Sequence, residues 1–331
     1  MNKSSFDIEF ENCPSILKNF FYYLGTIRGR EINTIMTYYY NLKHFFLYII
    51  YYKGVTEELS DSYNDLSLIN EELIKDIKKE DIESYLYYSA KSNNTKNTTR
   101  GNYLSAIKQY FEYMCFTERI IPENPASHIG SPKKPKRLPK YLTEEQALNL
   151  LLAVEKSDSS YKIRDECILI LFLNCAIRIS ELVQLNYKDI RTDNTILIHG
   201  KGNKERILYL NEACINAINK YKEVRPTDVK DKEAFFISRH NKRLSSNSVR
   251  SIVEKYMTAI GLGGQGYSPH KLRHTSATYY YKNGVDIRVL QEILGHSNLG
   301  TTEIYAHVAN EQVKSALESN PLSPSTKRNN N

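Results

Sequence analysis

Half of the ten prolines in this 331-residue chain fall between residues 122 and 139, and that cluster limits how the rest can fold. Proline lacks an amide hydrogen, fixes its own φ and disfavours helix in the residue before it. Ile121-Pro122-Glu-Asn-Pro125 therefore ends one helical region. Ser131-Pro-Lys-Lys-Pro-Lys-Arg-Leu-Pro139-Lys140 follows as an extended, basic connector. The expected organisation is a helical domain over 1–125, a linker over 126–142, a second domain over 143–320 and a disordered tail over 321–331.

Apolar residues recur at helical spacing before the linker. Ile35, Tyr38, Leu42, Phe45 and Ile49 form one stripe, and Leu104, Ile107, Phe111 and Met114 form another. Ile82, Tyr85 and Leu86 mark a helix over Glu80–Ala90, and the polar stretch Thr95–Thr99 suits the start of the next. These segments predict a four-helix module. After the linker, Thr143-Glu-Glu-Gln146 is a capping box that opens a mostly helical domain. One β element interrupts it. Thr195-Ile-Leu-Ile-His199 and Arg206-Ile-Leu-Tyr-Leu210 alternate around a glycine-bearing turn, Gly200-Lys-Gly-Asn-Lys-Glu205.

Composition excludes several classes. No apolar run reaches the ~18 residues of a membrane span, and the N-terminus lacks the pattern of a signal peptide, so a cytoplasmic location is expected. The five cysteines are scattered, odd in number and without a Cys-x-x-Cys pair, which argues against a disulfide framework or a zinc site. A net charge of +7 is compatible with nucleic acid but shared by many proteins. The 26 tyrosines are read as the codon bias of an AT-rich genome, not as base-stacking platforms.

One ordered set of residues carries chemistry. Arg178 lies in Ile177-Arg-Ile-Ser-Glu-Leu182, Lys201 in the hairpin turn, and His270 and Arg273 in Ser268-Pro-His-Lys-Leu-Arg-His-Thr275. Leu294-Gly-His296 follows, and then Tyr305. Two arginines, a lysine, two histidines and a late tyrosine make a poor metal site. They suit attack on a phosphodiester by a protein hydroxyl. Ser268 and Pro269 mark a helix start, and the three-residue step from His270 to Arg273 puts both on one face.

This set resembles the tyrosine recombinases of the phage integrase family, and among them the compact Xer-type bacterial members. The resemblance runs from about Pro14 to Tyr305 and rests most on His270-Lys-Leu-Arg273, Leu294-Gly-His296 and the nine-residue step to Tyr305. It implies a four-helix (SAM-like) core-binding domain that clasps DNA, followed by a mainly helical catalytic domain with a small β-hairpin. It also implies a reaction without ATP, metal or other cofactor. Tyr305 would be the nucleophile, Arg178 and Arg273 the phosphate clamps, His270 the general base, His296 a phosphate hydrogen-bond donor and Lys201 the acid for the leaving 5′-oxygen. Ala176 departs from the family pattern, which commonly has glycine two residues before this arginine.

Lys133, Lys134, Lys136 and Arg137 are candidate contacts to the DNA backbone, with a solvated spacer as the alternative. Val308, Val313, Ala316 and Leu317 form an apolar stripe that in Xer-like enzymes docks on a neighbouring protomer. The expected partner is a double-stranded recombination site, held by a homo-tetramer or by a hetero-tetramer with a paralogous recombinase, with no membrane involved. Chromosome dimer resolution, integration or excision of a mobile element, and DNA inversion all fit this chemistry. The rival readings are a relaxing enzyme of the type IB topoisomerase kind and a catalytically silent DNA-binding protein.

Overall fold

A computed structural model describes residues 10–56, 65–92, 94–133, 140–200 and 204–295 of the chain. Lys201, His296, Tyr305, the linker residues Lys134, Lys136 and Arg137, the stripe from Val308 to Leu317 and the 321–331 tail lie outside the described residues. The chain is mostly helical, and it divides into two units, Met1–Lys136 and Arg137–Asn331.

The first unit contains helices α1 (Ser15–Thr26), α2 (Ile32–Tyr52), α3 (Glu71–Asp76), α4 (Lys79–Lys91) and α5 (Asn97–Phe116). The short α3 starts at Asn70, whose side-chain oxygen accepts a hydrogen bond from the Leu73 amide at 2.9 Å. The stripe on α2 buries Ile35, Tyr39, Leu42, Phe45 and Ile49. Tyr39 replaces the expected Tyr38, which is only partly buried. Several rings in this core pack edge to face. Tyr110 meets Phe20 at 5.3 Å and 88°, and Phe46 at 5.3 Å and 84°.

Residues 126–129, expected in the linker, pack with the first unit instead. Ala126 and Ile129 are buried in its core. The Asn124 carboxamide explains this: its oxygen accepts from the Ala126 amide and its nitrogen donates to the Lys108 carbonyl, which ties the turn back to α5.

The second unit contains α6 (Glu144–Glu155), α7 (Lys162–Cys175), α8 (Ile179–Gln184), β1 (Thr195–His199), β2 (Glu205–Tyr209), α9 (Glu212–Val224), α10 (Ser246–Ala259), α11 (Pro269–Lys282) and α12 (Ile287–Leu294). Thr143 and Gln146 form the expected reciprocal cap on α6. Helix α7 packs against α6, α9 and α11, so every residue from Cys167 to Phe172 is buried. The strands pair antiparallel, His199 opposite Glu205 and Thr195 opposite Tyr209, with β2 starting one residue earlier than expected. All five cysteines are free thiols, and Cys175 Sγ lies 3.6 Å from Cys214 Sγ.

A second feature of this unit is buried charge. The Arg164 guanidinium donates to Asp165 through Nε and Nη2 and to the Ile237 carbonyl through Nη1. The Tyr256 hydroxyl donates to the other Asp165 oxygen at 3.2 Å. Each charge is thereby paired and hydrogen-bonded, the condition under which ionised groups persist in an interior.

Candidate active site

Glu181 is the centre of the site. It lies on the first turn of α8 and is 4% exposed. Its carboxylate accepts from the Arg178 amide at 2.7 Å and from Arg178 Nη1 at 2.7 Å. Arg206 on β2 approaches from the other side, and its Nη1 and Nη2 each donate to a different Glu181 oxygen at 2.9 Å. Arg273 Nη1 on α11 lies 3.8 Å from Oε2. Burial pushes the Glu181 pKa up, but the hydrogen bonds and charge of Arg206, then those of Arg178, outweigh it and hold the carboxyl at about 2. The carboxylate is therefore ionised at any working pH.

The same three arginines hold the end of α12. Arg206 Nε donates to the Ile293 carbonyl at 3.0 Å, Arg273 Nη2 to Leu294 at 2.6 Å and Arg178 Nη2 to Gly295 at 3.0 Å. These are carbonyls that a helix leaves unsatisfied at its C-terminus, where cations are also favoured by the helix dipole. Gly295 ends the helix in the left-handed conformation, φ +58°. A Cβ there would lie 2.9 Å from Arg206 Nη1, so both the left-handed backbone and the close approach favour glycine.

Local sequence explains how α8 and α11 are placed. Helix α7 ends at Ala176, also left-handed at φ +49°. An alanine there bears a conformational cost of about 1–2 kcal/mol that glycine would avoid. The turn geometry is nonetheless kept: Ala176 is fully buried and its carbonyl accepts from Arg273 Nη1 at 2.6 Å. The turn brings Arg178 to the N-terminal boundary of α8. Helix α11 starts where expected, with Ser268 before it and Pro269 first in it, although the Ser268 side chain makes no capping bond.

His270 and Arg273 stand on α11 as the spacing predicts. Arg273 is buried, while His270 reaches solvent. Partial desolvation, then the charges of Arg273, Lys271 and Arg178, hold the His270 pKa below the usual imidazole value. A neutral imidazole able to accept a proton is thus favoured near neutral pH. The His274 ring meets it edge to face at 4.5 Å.

The structure thus brings Arg178, His270 and Arg273 into one neighbourhood. Lys201 and His296 are reached only by their flanks. The hairpin closes with the Gly200 amide donating to the Lys204 carbonyl at 2.7 Å, and a Cβ at Gly200 would lie 3.8 Å from Glu181 Oε1. Gly295 immediately precedes His296 in the chain. Of the four linker cations, Lys133 alone is described. It is exposed, and its carbonyl accepts from the Asn97 side chain at 2.7 Å. Among the described residues no group of three or more His, Cys, Asp and Glu could hold a metal ion. Glu181 follows Arg178 by three residues in the sequence, whereas Arg206, its second partner, is 25 residues away. The strand alternation that places Arg206 on the same face as the buried Leu208 was the available signal.

Residues 140–312 match the phage integrase family. The tyrosine recombinase XerC of Caldanaerobacter subterraneus subsp. tengcongensis is 41% identical over 313 residues, covering 94% of this chain and 88% of that protein. The tyrosine recombinase XerC of Chlamydia trachomatis serovar L2 is 39% identical over 234 residues, 70% of this chain and 73% of that one. Among solved structures, the XerH site-specific recombinase bound to a palindromic difH substrate, a post-cleavage complex, superposes with a TM-score of 0.67 at 25% identity, covering 88% of this chain and 81% of that one. A lambda integrase dimer bound to a core site shares the fold, with a TM-score of 0.65 at 20% identity over 86% of this chain and 95% of that one. The chain belongs to the phage integrase family and, within it, to the Xer-type tyrosine recombinases, enzymes that cleave and rejoin DNA.

Proposed function

We propose that this recombinase exchanges DNA strands through a 3′-phosphotyrosyl intermediate formed by Tyr305. The observation that carries the reading is the convergence of three arginines on one buried carboxylate beside His270, at the helix end that leads to His296. Such a set can stabilise a phosphate that gains charge while leaving a neutral base at the opening.

The steps follow from the residue types. An ordinary tyrosine hydroxyl has a pKa near ~10, so it needs a base and nearby cations to act as a nucleophile. His270 takes the Tyr305 proton as the phenolic oxygen bonds to phosphorus. The bond from phosphorus to the 5′-oxygen breaks, and Lys201 gives that oxygen a proton. Arg178, Arg273 and His296 stabilise the non-bridging oxygens of the pentacoordinate transition state. Attack by a 5′-hydroxyl of a second strand reverses the step and passes through a Holliday junction. The ester energy is conserved, so no nucleotide is hydrolysed and neither metal nor cofactor is required.

The reading extends to a tetramer on two double-stranded sites, either of this chain alone or with a paralogous recombinase. The stripe Val308–Leu317 would link protomers, and Lys133, Lys134, Lys136 and Arg137 would lie along a DNA backbone. Its cellular role would be Xer-like resolution of joined chromosomes in the cytoplasm. The XerC relatives, matching at 41% and 39% identity, favour that role over integration or inversion.

A plasmid with two direct repeats of the protein's binding sequence, recovered by selection from random duplexes, tests strand exchange. Deletion circles are expected with wild type and absent with Tyr305→Phe. Relaxation of supercoils without circles would instead support a topoisomerase, and binding with neither product a silent DNA-binding protein.

A further inference from the structure

Arg206 comes from β2, a strand of five residues whose positions alternate between solvent and interior. Glu205, Ile207 and Tyr209 are exposed, whereas the Arg206 side chain is 14% exposed. An inward guanidinium on so short a strand is costly unless its donors are satisfied. Three of them are accounted for, two on the Glu181 carboxylate and one on the Ile293 carbonyl. One side chain thereby joins three elements: the hairpin, α8 and the last turn of α12.

Each of those elements leads to a group that the proposed reaction uses. Lys201 lies in the turn between β1 and β2, Arg178 at the start of α8 and His296 one residue past Gly295. The packing tolerance is small, since a single methyl on Gly295 would come to 2.9 Å from Arg206 Nη1.

We propose that Arg206 is a positioning residue for DNA cleavage, fixing the hairpin that carries Lys201, the carboxylate that orients Arg178 and the end of α12 in one arrangement. It touches no reacting atom itself. The proposal rests on the tyrosyl-transfer reading above. Misplacement of a reacting group by about 1 Å can cost about 10²-fold in rate, which sets the expected scale.

The test is single-turnover cleavage of a nicked suicide duplex, with the bridging 5′ atom either oxygen or sulfur. A sulfur leaving group departs without a proton, so it bypasses Lys201 alone. Arg206→Gln is expected to bind the duplex within about threefold of wild type and to cleave the oxygen substrate about 10²-fold more slowly. On the sulfur substrate part of that loss should disappear. Adding Arg206→Gln to Lys201→Ala should slow oxygen cleavage less than it slows wild type, because the two changes remove parts of one unit. Arg206→Lys, which can keep one bond to Glu181 but cannot also reach Ile293 with a fork, should fall between wild type and Arg206→Gln. It also carries the same oxygen-to-sulfur comparison if Arg206→Gln does not fold.

A purely structural role would lower the active fraction equally for both substrates. Equal loss on oxygen and sulfur, or a wild-type rate in Arg206→Gln, would overturn the proposal while leaving the tyrosyl reading intact. Absence of any adduct with wild-type protein would overturn the tyrosyl reading and this proposal with it.

Discussion

The two units of this chain have different interiors. In the first, Asp81 and Ser89 are the buried polar or charged residues among those described, and aliphatic side chains packed with aromatic rings make up the rest of the core. In the second, Arg164, Asp165, Glu181, Asp189, Arg273 and His274 are all buried. Apolar burial is non-directional and tolerates exchange of similar shapes, whereas a buried charge needs each partner in place. The difference separates an interior that holds a shape from one that also aims specific atoms. Tyrosine shows it well: Tyr39, Tyr85 and Tyr110 serve the first unit as core rings, while in the second unit the Tyr256 hydroxyl completes an ion-pair network.

The contrast can be broken most strongly at Phe46, fully buried against Tyr110. Phe46→Ala should cost about 3–5 kcal/mol of stability in denaturant unfolding. Single-turnover cleavage by the folded fraction should change little. A large rate loss in protein that remains folded would show that the first unit also aims the chemistry.

Arg273→Ala should do the reverse. It removes a clamp candidate that also holds Ala176 and Leu294. Cleavage should fall by about 10²–10³, on oxygen and sulfur substrates alike, while duplex binding persists. Loss restricted to the oxygen substrate would reassign it to leaving-group protonation.

Gly295→Ala sharpens the comparison at one atom. The left-handed backbone and the 2.9 Å approach to Arg206 make any side chain there strained. The cost should be about 1–3 kcal/mol in thermal unfolding, accompanied by slower cleavage. A neutral result would show that the α12 end can move away from Arg206 freely.

The smallest effect concerns pH. Lys271 is one of the cations that hold the His270 pKa down. Lys271→Gln should raise that pKa, so protonation would remove the base at a higher pH as the solution is acidified. The acid limb of the cleavage profile should therefore shift upward in pH. An unmoved limb would indicate that another group sets it.

Much of this was legible in the sequence, where the information is local. Ser268-Pro269 located the start of α11, Thr143-Gln146 the cap of α6, and alternation the hairpin, with β2 beginning one residue earlier than expected. Helix α7 was harder to read, because a helix buried on all sides has no amphipathic period. Of the candidate site, the Arg178–Glu181 pair was visible as a three-residue step along the chain. The Arg206–Glu181 contact spans 25 positions and joins a strand to a helix, so spacing could not reveal it. The Asn124 turn that draws Ala126 and Ile129 into the first unit was hidden for a related reason: proline marks where helix ends, not where the chain goes next.

The most direct test of the account is covalent trapping on a nicked suicide duplex, with chelator present and no nucleotide added. Wild type should become joined to a DNA 3′-phosphate through Tyr305, identified by peptide mass, and Tyr305→Phe should bind the same duplex without forming the adduct. Undiminished adduct in Tyr305→Phe, or an adduct mapped to a different residue, would contradict the account.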